Sequence, residues 1–249
     1  MKIPAIPIAV VWVILCAFPL AAAERQVVMI ATAANFMGAM EKISEVYHAE
    51  TGSRVETVYS STGKLYAQIK KGAPYDLFLA ADARRPELLA EEGVCAESFV
   101  YATGEVVLWT GNRSFADAEN WQQVILNEGV RRISVSTPET APYGAAAFAA
   151  LEEKGFLPRL RDRLVYGQNV AQAFQFAVHG STDLGLIALS LALSEKGRPG
   201  FFWRVPEAPK IVQKGCVVTG GDNEEAARDF LEFMRGETGR TVLHEFGYR

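Results

Sequence analysis

Apolar positions recur with two alternating periods along this chain. Residues 27–32 form an apolar, β-branched run that predicts a strand. After Asn35, the residues Phe36, Met40, Ile43 and Tyr47 fall on one helical stripe, which Gly52 closes. Residues 55–59 predict the next strand. Ser61-Thr62-Gly63 leads into a helix that carries Leu65 and Ile69 and ends near Gly72. Residues 76–81 predict another strand and 86–93 a short helix. Parallel neighbours need crossover helices, so this β-α-β-α-β series predicts a parallel sheet covered by helices.

The second half repeats the theme. Residues 106–110 and 133–136 are strand-like, and Ala141-Pro142-Tyr143-Gly144 opens an alanine-rich helix that stops at Gly155. Residues 164–166 are extended. Asn169 caps a helix running through Ala173, Phe174 and Ala177 to Gly180, and 184–189 is a fully apolar strand. The tail from 224 to 247 predicts one or two helices. No Pro/Gly/Ser-rich linker divides the halves. The aromatic group Trp109, Phe201, Phe202 and Trp203 is expected in the core.

The first residues follow a different rule. Lys2 precedes an uncharged apolar stretch from 3 to 20, and Ala21-Ala22-Ala23 fits the small-residue site of signal peptidase. Residues 1–23 are therefore expected to be a cleaved secretory signal, with Cys16 lost along with it. Two cysteines then remain in an oxidising compartment, Cys95 and Cys216. An even pair is compatible with a disulfide or with two buried thiols. The formal net charge of −4 argues against nucleic acid or an anionic membrane as partner.

Four strand-to-helix loops share one character: Ala33-Ala34-Asn35, Ser60-Ser61-Thr62-Gly63, Thr140-Ala141-Pro142-Tyr143 and Gln168-Asn169-Val170. None has a charged residue before its helix begins. In parallel α/β sheets such loops lie at the carboxyl ends of the strands, where ligands bind. A helix start offers unpaired N–H groups and a partial positive charge, so several converging starts make an anion site without a formal cation. A fully deprotonated oxyanion suits such donors, whereas one that keeps a proton needs an acceptor. Asp76 and Asp82, at strand ends, are the acceptors to consider.

Catalytic signatures are missing. The segment from Ser60 to Leu65 lacks the opening Gly of a phosphate-binding loop. His48, His179 and His244 are scattered, with no zinc motif, nucleophile elbow or dinucleotide fingerprint. His48 sits on a polar helix face and is expected to be solvated. No enzymatic activity is expected.

Longer stretches add a resemblance. Ala31-Thr32-Ala33-Ala34-Asn35-Phe36, the run from Ser61 to Ile69, the run from Gly72 to Asp82, Tyr101-Ala102-Thr103-Gly104, Ala141-Pro142-Tyr143-Gly144 and Gly185-Leu186-Ile187-Ala188-Leu189-Ser190 together resemble the periplasmic molybdate-binding proteins of ABC transporters. The resemblance covers nearly all of the chain beyond residue 23. It implies a two-lobed α/β periplasmic binding protein of type II, each lobe a mixed, mainly parallel sheet flanked by helices, with the ligand in the interlobe cleft. Residues 24–104 with 213–249 would form the first lobe and 105–212 the second.

The resemblance also implies how the chain works. It would be a periplasmic monomer that captures molybdate, and tungstate as well, by closing its lobes and handing the anion to an ABC permease. Sulfate or another tetrahedral oxyanion is the alternative cargo. No cofactor is implied, and the only metal is that of the oxyanion itself. By motif, the anion contacts fall on Ala34, Asn35, Ser61, Thr62, Tyr143 and Val170, the last two through backbone N–H groups. Two departures stand out: the common family version has Ser where Asn35 stands, and it has a Tyr in the strand near Ile187-Ala188 that is missing from this chain.

Overall fold

The computed structural model describes residues 27–249 except Asp222, so the expected signal at 1–23 lies outside the described residues. The first part of the chain runs β1 (Val28–Ala33), α1 (Met37–Thr51), β2 (Val55–Ser60), α2 (Thr62–Lys70), β3 (Leu77–Leu79), α3 (Arg84–Glu91) and β4 (Phe99–Gly104). It continues with β5 (Val106–Thr110), α4 (Trp121–Ile125), β6 (Ile133–Ser136), α5 (Pro142–Glu153), α6 (Leu157–Leu160), β7 (Leu164–Gly167), α7 (Val170–Val178), β8 (Leu184–Ala188), α8 (Leu189–Ala192) and β9 (Phe201–Arg204). Strand β10 (Ile211–Val217) and helices α9 (Glu224–Arg235) and α10 (Glu237–Glu245) complete it.

These strands make two five-stranded mixed sheets, ordered β2-β1-β3-β10-β4 and β7-β6-β8-β5-β9. In the first, β1 is parallel to β2 and β3, while β10 runs antiparallel between β3 and β4. In the second, β6 is parallel to β7 and β8, and β5 is antiparallel to β8 and β9. Each sheet is flanked by helices, which gives a two-lobed molecule. The chain crosses between lobes twice, at the β4–β5 junction and at the entry to β10.

The period-two alternation of strands distributes the core. Val28, Ile30, Leu77 and Leu79 meet Phe36, Met40, Ile43 and Tyr47 of the α1 stripe, together with Phe230 and Met234 of α9. Ala31 and Phe78 turn to the other face, against Leu65 and Ile69 of α2 and Leu89 of α3. Gly52 ends α1 in the left-handed conformation, at φ 69°, where a side chain would be strained. The second lobe has its own core, centred on Val107, Leu108, Ile133, Val135 and Leu186. It also holds the described tryptophans. Trp109, Trp121 and Trp203 donate their indole N–H groups to Gly197 O, Glu207 Oε2 and Ala118 O.

Strands β4, β9 and β10 carry no clear apolar period. In β10, Gln213 and Lys214 interrupt the alternation, and the pairing with β4 shifts register between these two residues. Strand β9 corrects the expectation for the aromatic group. It is the edge of the second sheet, and Phe202 is 37% exposed rather than in the core. His48 is exposed, with Nδ1 near Ser53 O.

Cys95 and Cys216 are joined as a disulfide, with Cα atoms 5.8 Å apart and 121 residues between them in sequence. Cys95 lies just before β4 and Cys216 near the end of β10, so the bridge joins the two strands at the end away from the crossovers, which lie where Gly104 faces Ile211.

A cluster of charges marks the crossovers. Glu105, buried between β4 and β5, pairs with Arg204 at the end of β9 and with Lys210 at 2.8 Å, and Arg249 approaches at 3.9 Å. Burial alone would raise the Glu105 carboxyl, but the Lys210 and Arg204 cations outweigh it and hold its pKa below the usual value. A depressed folded-state pKa contributes stability above the unfolded value of about 4.3, which is lost as pH falls through the folded one. Glu105→Gln is therefore expected to melt below wild type at neutral pH. The gap should close in acid below the ordinary carboxylate range, as circular-dichroism melts across pH would show.

Candidate functional site

The four uncharged loops meet at one place. Ala33, Ala34 and Asn35 after β1, Ser60, Ser61 and Thr62 after β2, Ala141, Pro142 and Tyr143 before α5, and Asn169 and Val170 before α7 line one cavity together with Ala81. Two loops come from each sheet. The cavity is small, about 10 Å³, which excludes a sugar or a peptide. A wider groove of about 420 Å³ between α1, α7 and α8 receives none of the four loops, so size alone does not mark the site.

Each loop is built for a helix start. Asn169 Oδ1 accepts from Gln172 N at 2.9 Å, and Gln172 Oε1 accepts from Gln168 N at 2.6 Å, a reciprocal cap that leaves the Val170 N–H in the first turn. Pro142 begins α5 and places Tyr143 at its second position. Thr62 Oγ1 accepts from Ala81 N at 3.0 Å, which joins two loops of the first lobe. Ser61 is the residue before α2, yet its Oγ makes no capping bond and has no partner. Asn35 Oδ1 is likewise buried and unpartnered. Unpaired buried polar atoms are costly, and two of the four found among the described residues belong to Asn35 and Ser61, which line this cavity, where a polar ligand would pair with them.

The lobes are closed over this cavity. Asn35 is 1% exposed, Ser61 3%, Thr62 1%, Tyr143 2% and Val170 4%, although they belong to facing lobes. Gly63 N donates to Thr140 O at 2.9 Å, Lys64 Nζ to Gln168 Oε1 at 2.7 Å and Arg85 to Glu139 O at 3.2 Å, all across the cleft. Gly63 makes this approach close, since a Cβ there would sit 3.1 Å from the Thr140 backbone, tighter than an ordinary contact.

Among the described residues, no charged one lines the cavity. Lys64 and Arg85 serve the rim instead. Neither acidic residue considered from the sequence reaches it: Asp76 accepts from Met29 N and Asn223 Nδ2, and Asp82 pairs with Arg85. Among the described residues, no group of His, Cys, Asp or Glu could hold a metal ion.

Beneath the cavity lies a neutral polar network that sequence reasoning missed. Asn35 Nδ2 donates to Gln213 Oε1 at 2.7 Å and to Tyr248 OH at 2.9 Å, and Ser190 Oγ donates to Asn35 O at 2.8 Å. Tyr101 OH contacts Ala80 O and Gln213 Oε1, and Gln213 Nε2 reaches Tyr143 OH at 3.4 Å. Burial raises all three tyrosines, Tyr248 to about 12 and Tyr101 and Tyr143 well above the ordinary value. The network is therefore neutral at any working pH. Its members lie far apart in sequence, and only the strong family likeness around Tyr101 and Ser190 pointed near them.

A closed two-lobed α/β molecule with one small, donor-lined interlobe cavity is the architecture of a solute-binding protein. The chain belongs to the bacterial extracellular solute-binding proteins, whose family model matches residues 28–249. It is 36% identical to the molybdate-binding protein ModA of Azotobacter vinelandii over 232 residues, 91% of each chain. It is 33% identical to that of Rhodobacter capsulatus, covering 93% of this chain and 90% of the relative. The solved periplasmic molybdate-binding protein of Azotobacter vinelandii superposes with a TM-score of 0.84 at 32% identity, over 89% of this chain and 98% of that one. The sulfate-binding protein SubI of Mycobacterium tuberculosis shares the fold, with a TM-score of 0.75 at 16% identity and 89% and 86% coverage.

Proposed function

We propose that this protein captures molybdate, and tungstate with it, in the periplasm and delivers it to an ABC permease. The observation that carries this is the meeting of four uncharged helix-start loops, two from each lobe, on one small buried cavity. A tetrahedral dianion without protons offers only acceptors, and this cavity offers backbone N–H groups and the Ser61 hydroxyl. The relatives named for molybdate supply the identity of the anion. Ala34, Asn35, Ser61, Thr62, Tyr143 and Val170 would hold it, Tyr143 and Val170 through their backbone N–H groups. We assign residues 24–104 with 213–249 to one lobe and 105–212 to the other. The anion is fully coordinated only when the lobes meet, so binding favours the closed form by its differential contacts. The protein acts as a monomer, and no cofactor or covalent step enters.

Native mass spectrometry with molybdate, tungstate, sulfate and phosphate offered separately tests this. Molybdate and tungstate are expected to give a one-to-one adduct and a raised melting temperature, sulfate a weaker one and phosphate none. Retention of sulfate above molybdate would establish the alternative cargo, and no adduct with any of them would refute the reading.

A further inference from the structure

The side-chain amide of Asn35 is oriented away from what a dianion needs. Its two N–H donors are spent on Gln213 and Tyr248, neither of which lines the cavity, while Oδ1 is the end left without a partner. An acceptor facing an oxyanion is repulsive. A carboxamide turned by half a rotation exchanges donor and acceptor ends with almost no change of shape. Asn35 cannot make that turn alone, because its Oδ1 would then face Gln213 Oε1 at 2.7 Å, two acceptors in contact.

Gln213 is free to turn with it. It is completely buried on β10, at the entry to the first lobe, and its remaining neighbours are hydroxyls. Tyr101 OH, 3.1 Å away, and Tyr143 OH, 3.4 Å away, can each donate or accept. After a joint turn, Gln213 Nε2 donates to Asn35 Oδ1 and to Tyr101 OH. Tyr101 keeps its bond to Ala80 O, and Tyr143 OH donates to Gln213 Oε1. Tyr248 OH donates to Asn35 Oδ1, and Ser190 still supplies the Asn35 carbonyl. Every partner is satisfied, and Asn35 Nδ2 faces the cavity. The packing depends on Gly104, where a Cβ would lie 2.0 Å from Tyr143 OH and 2.7 Å from Gln213 Nε2.

We propose that Gln213 is a positioning residue for anion capture, turning together with Asn35 so that the Asn35 amide presents its N–H donors to the bound dianion. This rests on the oxyanion reading above. Because Tyr143 comes from the second lobe, the turned pair is fully satisfied only in the closed molecule, which couples donor orientation to closure. It also gives the site a means of discrimination: with the pair turned, an anion that keeps a proton meets a donor where it would need an acceptor.

The test uses the whole processed protein and molybdate as the probe. In wild type, molybdate is expected to shift and protect from exchange one Asn side-chain NH₂ resonance, which is identified as Asn35 by its loss in Asn35→Ser. Gln213→Met keeps the volume but cannot supply the donor to Oδ1. It should lose about tenfold or more in molybdate affinity, the loss of one charge-assisted hydrogen bond, and the protected resonance should disappear. Gln213→Glu, an acceptor only when ionised, should lose more and provides a second variant if the first folds poorly. A structural role alone would lower the melting temperature of the anion-free protein and leave the affinity and the protected amide unchanged, and that result overturns the proposal. If wild type binds molybdate and Gln213→Met binds it equally, this inference fails and the functional reading stands. If wild type binds no oxyanion, both fail.

Discussion

Replacing Ser61 by Asp is expected to abolish molybdate binding while leaving the anion-free protein folded. Ser61 precedes α2, its hydroxyl is buried, and it points a free polar atom at the place where four loops meet. Asp is as good a helix cap as Ser, and a negative charge at a helix start is favourable. The open molecule also gives the new carboxylate access to water, so the fold has little reason to suffer. The bound state does. Two unit charges about 4 Å apart repel by about 4 kcal/mol at an effective permittivity of about 20, and roughly twice that against a dianion. Every 1.4 kcal/mol is about a tenfold change in affinity, so binding should fall below detection. Ser61→Ala removes one donor without adding charge and should cost roughly tenfold. Calorimetric titration of both variants, with melts in the absence of anion, separates the effects. If Ser61→Asp still gains thermal stability on adding molybdate, the cavity is not the anion site.

Removing the Cys95–Cys216 bridge should cost more stability than any other single change discussed. The bridge spans 121 residues and encloses the whole of the second sheet. In the chain-entropy account a loop of that length is worth about 4–5 kcal/mol through restriction of the unfolded chain. The double variant Cys95→Ala/Cys216→Ala avoids leaving a buried hydroxyl in the apolar cluster of Leu65, Phe78 and Leu89. Its melting temperature is expected to fall by on the order of 10 °C in scanning calorimetry. Neither cysteine lines the cavity, so the folded variant should bind molybdate as wild type does. A reductant that leaves the melting temperature of wild type unmoved would sink this prediction.

Local signals made much of the site legible. Ser61, Asn169 and Pro142 announce helix starts through the chemistry of the first turn, and the order of strands and helices places those starts at the carboxyl ends of parallel strands. That is enough to single out the four loops as one candidate group, while the choice of Ala34, Asn35, Ser61, Thr62, Tyr143 and Val170 within them comes from the family resemblance. What could not be read depends on pairing between distant segments. Strand β10 has no regular apolar period because Gln213 and Lys214 sit in it, and its partners in β3 and β4 come from the other end of the chain. Asn35 and Gln213 are 178 residues apart, and nothing local to either predicts their contact. The cations around Glu105 were unread for the same reason, since they converge only once both crossovers and the last residue are in place. The aromatic run at Phe201, Phe202 and Trp203 misled because hydrophobicity does not distinguish a central strand from an edge strand.

The separation of the aromatic residues has a consequence for how the protein can be observed. All three described tryptophans are anchored inside the second lobe and none lines the cavity, whereas Tyr101, Tyr143 and Tyr248 gather directly beneath it. Indole emission is thus expected to be a poor witness of occupancy, because the three indoles hydrogen-bond to Gly197, Glu207 and Ala118 and not to the polar network beneath the cavity. The phenol chromophores sit in the network where hydrogen bonds change partners. Their near-ultraviolet difference spectrum is the intrinsic optical signal that follows the anion, with no label added.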